Sequence, residues 1–142
     1  MRVEEVVRAK LLASAGVTAL VGTRVYQLLL QQGPTYPAIR VQLISEPRPN
    51  HLRGADGSIR SRVQVDAYAQ VGNGTDPYDG AADVADAVRD ALAGTAPFDD
   101  GGSPPETVVT GVFVDNRRVL YEPEELRVVR VSQDVIVWSR AA

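Results

Sequence analysis

From Ser58 to Val71 the chain alternates between apolar and polar residues. Ile59, Val63, Val65, Ala67, Ala69 and Val71 fall on one parity; Arg60, Arg62, Gln64, Asp66, Tyr68 and Gln70 fall on the other. A strand turns its side chains over at every residue, so the stretch predicts one apolar and one polar face. That is the pattern of a half-buried antiparallel strand. Across Gly72-Asn73-Gly74 the period changes from two to about 3.6. Ala81, Val84, Ala85, Val88, Ala91 and Leu92 then form a helical stripe. Asp76 is placed to cap that helix, Pro77 suits its first position and Gly94 its end. Asp79, Asp83, Asp86 and Asp90 cover its solvent side, and small residues on the buried side let it lie close on a sheet.

The remaining pattern predicts further elements. Arg2 to about Ser14 reads as a helix, with Val3, Val6, Val7 and Leu11 on one stripe and Glu4 and Arg8 as an i,i+4 pair. Val17 to Val21 reads as a second helical fragment ended by Gly22. Arg24 to Leu30 is strand-like, and Gln31 to Pro34 is a turn. Pro37 to Ser45 predicts a strand with Ile39, Val41 and Leu43 inward and Arg40 and Gln42 outward. Glu46 to Gly57 is a connector whose prolines and glycines exclude regular structure for much of it, and it is longer than a tight hairpin needs. Thr95 to Pro105 reads as a flexible link. Thr107 to Val114 predicts a strand that extends to Tyr121 with a break near Asp115-Asn116, and Glu122 to Glu125 a turn. Leu126 to Arg140 predicts the last strand, with Val129, Val131, Val135 and Val137 on one face. Arg130, Ser132, Asp134 and Arg140 share the other face with Ile136 and Trp138.

The length of 142 residues fits one domain with a real core. There is no cysteine, which removes disulfides, thiolate metal sites and cysteine nucleophiles. Charges early in the chain (Glu4, Glu5, Arg8 and Lys10) interrupt any signal-peptide centre, and no apolar run reaches the roughly 18 residues of a membrane span. The reading is a soluble chain made in the cytoplasm. Net charge is −3, but residues 1–71 carry +4 and residues 72–142 carry −7. Such a division suits head-to-tail contact between copies, unless the two halves interleave in one sheet and the asymmetry vanishes in space.

Candidate chemistry is sparse. His51 is the only histidine, so histidine-based triads and two-histidine metal sites lack partners. Asp99 and Asp100 lie beside Gly101-Gly102 without the alternating oxygen ligands of a calcium loop. Glu122, Glu124 and Glu125 form an acidic cluster that nothing nearby in sequence desolvates. Gly72-Asn73-Gly74 lacks both the lysine of a phosphate loop and the third glycine of a dinucleotide site. Arg48, Arg53, Arg60 and Arg62 could form a basic patch, yet overall acidity and an aromatic content of 6% argue against a nucleic-acid stacking surface.

Four phrases, in order, carry a resemblance. The first is Val21, Gly22, Arg24, Val25 and Tyr26, then Tyr36, Pro37, Ala38 and Ile39. The second is the strand RVQVDAYA, and the third is Asp86, Ala87, Val88, Arg89, Ala91 and Leu92. The last is Tyr121, Glu122 and Pro123 followed by Arg130 to Trp138. Together they resemble the tail-completion, or tail-terminator, proteins of long-tailed bacteriophages and gene-transfer particles over nearly the whole chain. Gln27, where a proline is common, and the longer link from Asp99 to Pro105 depart from the pattern.

Joined to the elements above, the resemblance implies a single α+β domain over residues 1–142. Its mainly antiparallel (mixed) sheet would have four to five strands, with two main helices on one face and flexible loops at about 46–57 and 95–105. It further implies a virion-assembly protein, not an enzyme, with no cofactor. That protein forms a ring of six copies at the head-proximal end of the tail tube. The ring stops tube growth and meets the head connector, and genome DNA passes through it unread. The candidate subunit or lumen contacts are Arg48, His51, Arg53, Arg60, Arg62, Gln64, Asp66 and Tyr68. Three other readings stay open: another ring-forming neck or head-completion protein, a small hydrolase using Glu122, Glu124 and Glu125, and a nucleic-acid adaptor using Arg48 to Arg62.

Overall fold

The alternating stretch forms β5 (Ser58–Gln70), an inner strand of a curled six-stranded sheet, in a computed structural model of the chain. The structure describes residues 1–30, 33–48, 50–51, 54–55, 57–72, 76–121 and 127–142. Before β5 come α1 (Val3–Leu12), α2 (Ala15–Val21), β1 (Val25–Gln27), β2 (Ala38–Ser45), β3 (Asn50–His51) and β4 (Gly54–Ala55). After it come α3 (Pro77–Leu92), β6 (Phe98–Asp99), β7 (Thr107–Tyr121) and β8 (Val128–Ala141). The sheet order is β1-β2-β5-β8-β7-β6. Only β1 and β2 run parallel; the other neighbours are antiparallel.

The sheet therefore has six strands rather than four to five. The addition is β6, whose two residues are too short to establish a period of two, while β1 keeps three residues of the strand-like stretch from Arg24 to Leu30. The helix count also rises: α2 is a true helix of seven residues beside the two longer ones. Inside the 46–57 connector, β3 and β4 pair with each other, His51 opposite Gly54. The connector thus includes a small hairpin where its prolines and glycines predict little regular structure. The predicted break in β7 is present as a register shift between Val114 and Asn116. The predicted turn at 122–125 lies outside the described residues.

All three helices lie on one face of the sheet. The odd-numbered residues of β5 meet the stripe Ala81, Val84, Ala85, Val88 and Leu92 of α3 and the buried side of α1, Val3, Val6, Val7 and Leu11. Valine and alanine dominate this core, so α3 sits very close to the strand. A side-chain carbon added at Gly80 would come within 3.3 Å of Ala69 Cβ. Asp76 caps α3 as its position predicts, its carboxylate accepting from Tyr78 N at 2.8 Å. Polar side chains intrude too: Ser61 of β5 is 0% exposed, and Gln133 on β8 is 1% exposed and donates from Nε2 to Ala85 O of α3 at 2.9 Å.

The basic and acidic halves of the sequence interleave. Strands β2 and β5 come from the first half, and β5 pairs along its whole length with β8 from the second. The link at 95–105 holds β6 and an aspartate knot. The Asp100 carboxylate accepts backbone N–H bonds from Gly102, Glu106 and Thr107 at 2.9, 3.0 and 3.1 Å. These bonds favour the ionised form and hold the Asp100 pKa below the usual carboxylate range. Composition alone predicts a loose link here because glycine, serine and proline do not reveal where one carboxylate will be anchored.

Candidate functional site

Opposite the helices, the sheet presents the even-numbered side chains of β5 and their neighbours. Register decides which meet. Arg40 of β2 lies opposite Asp66, and Asp66 lies opposite Ser132 of β8. Ser132 lies opposite Arg118 of β7, and Gln64 opposite Asp134. Four arginines (Arg40, Arg62, Arg118 and Arg130) gather around three aspartates (Asp66, Asp115 and Asp134).

Two buried carboxylates organise this face. Asp66 is 0% exposed. It accepts from Arg40 Nε at 3.0 Å, from Arg40 Nη2, and from Gln64 Nε2 at 2.9 and 3.0 Å. Arg130 Nη1 stands 3.8 Å away on its other side. Asp134 accepts from Arg118 Nη1 at 3.0 Å and Arg62 Nη1 at 3.3 Å, and Arg62 also reaches Asp115 at 3.2 Å. Arg118 Nη2 continues the network to Ser132 Oγ at 3.3 Å. A buried carboxylate needs such partners, because an unpaired charge away from water is costly. The aspartates thereby pin the arginines flat against the sheet, while the outer surfaces of the guanidinium groups remain open to solvent.

The two ends of the face differ. At one end Tyr68 is buried beneath Arg40, whose guanidinium carbon stands 6.0 Å from the ring centre. Burial pushes the Tyr68 pKa above its ordinary value, and nearby Asp66 adds to the shift. At the other end Phe113 and Trp138 are exposed aromatics, with Trp138 opposite Gly111. A side chain at Gly111 would meet the Phe113 ring at 3.4 Å, so the glycine leaves room for that ring to lie over the strand.

The predicted contact residues are thus only partly brought together. Arg62, Gln64, Asp66 and Tyr68 share this face; Asp66 and Tyr68 are buried and position the arginines rather than present themselves. Arg60 is exposed at the rim. Arg48 lies elsewhere, bonded to Glu46, whose other oxygen accepts from Ser61 on the helix side of β5. Arg53 and the side chain of His51 lie outside the described residues, as do Glu122, Glu124 and Glu125. Arg40, Arg118 and Asp134 join the network without having been singled out. Parity places each on an outward face, but only strand order reveals which outward faces coincide.

The arrangement is a surface of paired charges laid across four strands. The acid oxygens of Asp66 and Asp134 are engaged by arginine or glutamine donors. Among the described residues, no group of three or more histidine, aspartate or glutamate side chains is placed to hold a metal ion. No helix among them is long and apolar enough to cross a membrane.

Comparison with known proteins agrees with this character. A family model described as "Tail completion protein gp17" matches residues 5–140. Among solved structures, a chain of the virion of a native gene transfer agent particle is 21% identical with a TM-score of 0.70, covering 97% of this chain and 94% of that one. A second solved chain is 15% identical with a TM-score of 0.55 and 96% of each chain covered. At these identities the two structures share the fold. No curated protein matches the chain. The family match spans nearly the whole length, so this chain belongs to the tail completion protein family of phage tail structural proteins.

Proposed function

We propose that the chain is a structural virion-assembly protein that forms a ring, six copies in number, at the head-proximal end of the tail tube. There it ends tube polymerisation and joins the tail to the head connector or head-completion protein. Genome DNA passes through the lumen without being read, and no catalytic step is involved. The single observation that carries this reading is the sheet face opposite the helices. No layer covers it among the described residues, yet its arginines are held rigid by buried aspartates. A rigid, polar, partly aromatic face on a firm sheet suits docking to other proteins. Arg60 and Arg62, with the outward sides of Arg40 and Arg118, are the side chains this reading places at a neighbouring subunit or the lumen. Family membership supports the location in the tail, and the virion particle that contains the similar fold supports assembly with tail and head proteins.

The test is electron microscopy of particles made without this chain. The expected outcome is tubes of uncontrolled length and heads without tails, both restored by supplying the chain. Tails of normal length joined to heads in its absence would overturn the proposal.

A further inference from the structure

The two edges of the sheet are finished differently. On the β1 edge, Ile39 N donates to Arg24 O and Leu28 N to Val41 O, so residues 24, 26 and 28 face β2 and Val25 and Gln27 face outward. Three of those four outward groups are already bonded. Arg8 Nε donates to Val25 O at 2.7 Å, Val25 N bonds Thr23 O, and Gln27 O accepts from Leu29 N at 2.6 Å. This edge offers little to an added strand. The Leu29–Gln27 bond closes a three-residue turn around Leu28, whose φ of 62 is one a leucine rarely adopts. The turn holds two leucines in solvent, Leu28 at 56% and Leu29 at 73% exposure.

The β7 edge is open. Strand β6 pairs only with Val108 and Val109, and from Gly111 to Tyr121 no described strand pairs with the outer side of β7. Where β6 stops, a groove of about 550 Å³ runs between this edge and the C-terminal end of α3. Its floor is Gly111 to Val114 and its wall is Ala93 and Ala96. Arg89 is the one charged side chain lining it among the described residues; it stands 3.8 Å from Asp86, a half-exposed pair that leaves part of the guanidinium in solvent. The hollow beside Leu28 holds Glu4 and Glu5. Arg2 is bonded to Glu5, and no described ion pair engages Glu4.

A closed ring requires two unlike patches that fit each other, and these sit on opposite edges of one sheet. From these observations we infer that Leu28 and Leu29 of one copy seat in the β7–α3 groove of the next, with Glu4 facing Arg89. This rests on the ring reading above and assigns its contact. Apolar side chains enter an apolar groove, the carboxylate meets the one cation at the groove, and the bonded β1 edge explains why the joint is a knob rather than a continued sheet. The second copy is the occupant because the same fold carries a matching projection, Leu28 and Leu29, at its opposite edge.

The chain has no cysteine, so an introduced pair reports cleanly. Leu29 and Ala93 are both exposed. Leu29 follows β1 and Ala93 ends α3 beside β7, and those two strands are four spacings apart, about 19 Å along the sheet against the roughly 7 Å between Cα atoms that a disulfide spans. The experiment oxidises assembled tails carrying the double variant Leu29→Cys/Ala93→Cys and reads the product on a denaturing gel. The expected result is a ladder of linked chains rising to the full ring, with no ladder from either single variant. A Leu29→Asp chain should fold with unchanged thermal stability and fail to form the ring. A ring of normal mass that yields no ladder, or that Leu29→Asp leaves intact, would overturn this contact while the ring reading stands. Wild-type chain that forms no ring on tails would overturn both.

Discussion

Replacing Asp66 by asparagine keeps the shape of the side chain and removes the charge between Arg40 and Arg130. Removing one partner of a buried ion pair costs about 3–5 kcal/mol, since the other is left uncompensated. The arginine side chains here are 20% and 22% exposed and can recover part of their hydration. The cost should fall to about 2–4 kcal/mol, from the same range discounted for that exposure. For a chain of this size this corresponds to a fall of about 6–12 °C in Tm. Asp134 provides the internal comparison. Its arginines, Arg62 and Arg118, are more exposed, so Asp134→Asn should cost about 1–2 kcal/mol on the same grounds. Urea unfolding of the two variants beside the wild type measures both values. An Asp66→Asn chain within 0.5 kcal/mol of the wild type (about the effect of a plain surface change), or one less affected than Asp134→Asn, would refute the claim that Asp66 anchors the face.

Three other outcomes are expected. Gln133 Oε1 is buried without a hydrogen-bond partner, so Gln133→Met should leave the chain as stable or about 1 kcal/mol more stable in urea unfolding, since an unsatisfied buried acceptor disappears together with one bond. Tyr68 has a raised pKa in the fold, so its contribution to stability is full below the unfolded value near 10 and is lost as pH rises through the folded value. Thermal melts of Tyr68→Phe between pH 9 and pH 11 (a window about that value) should therefore show a shallower alkaline decline than the wild type. Asp100 has a lowered pKa, so its contribution is full above the usual carboxylate value and is lost as pH falls through the lower folded one. Asp100→Asn should flatten the acid limb of the stability profile and leave the alkaline limb unchanged.

Much of this was legible in the chain itself, and the reasons differ by element. Strand β5 and helix α3 announce themselves because each is long and buries one side, so their periods of two and 3.6 persist over many residues. The β7 bulge shows because the alternation slips at Asp115-Asn116. Strand β6 has two residues, too few to carry a period, and β1 keeps only three residues of the strand-like stretch that contains it. The network on the open face is visible only in halves. Arg62, Gln64 and Asp66 can be read off one strand, but Arg40, Arg118 and Asp134 join them through pairings made 14 to 72 residues away in sequence. Burial of Asp66 is hidden for the same reason, since an aspartate between Val65 and Ala67 reads as solvent-facing until two arginines from neighbouring strands close over it. The Leu28–Leu29 projection escapes sequence reading altogether, because three leucines in a row suggest a buried strand and only the turn at Leu28 sends them outward.

The central claim is a ring of this chain at the junction of tail and head. A cryo-electron microscopy reconstruction of that junction tests it most directly. The account expects one layer of six copies of this fold between the tail tube and the head connector, with the leucine turn of each copy against the α3–β7 groove of the next. A junction without this fold, or with a single copy outside the tube axis, would contradict it.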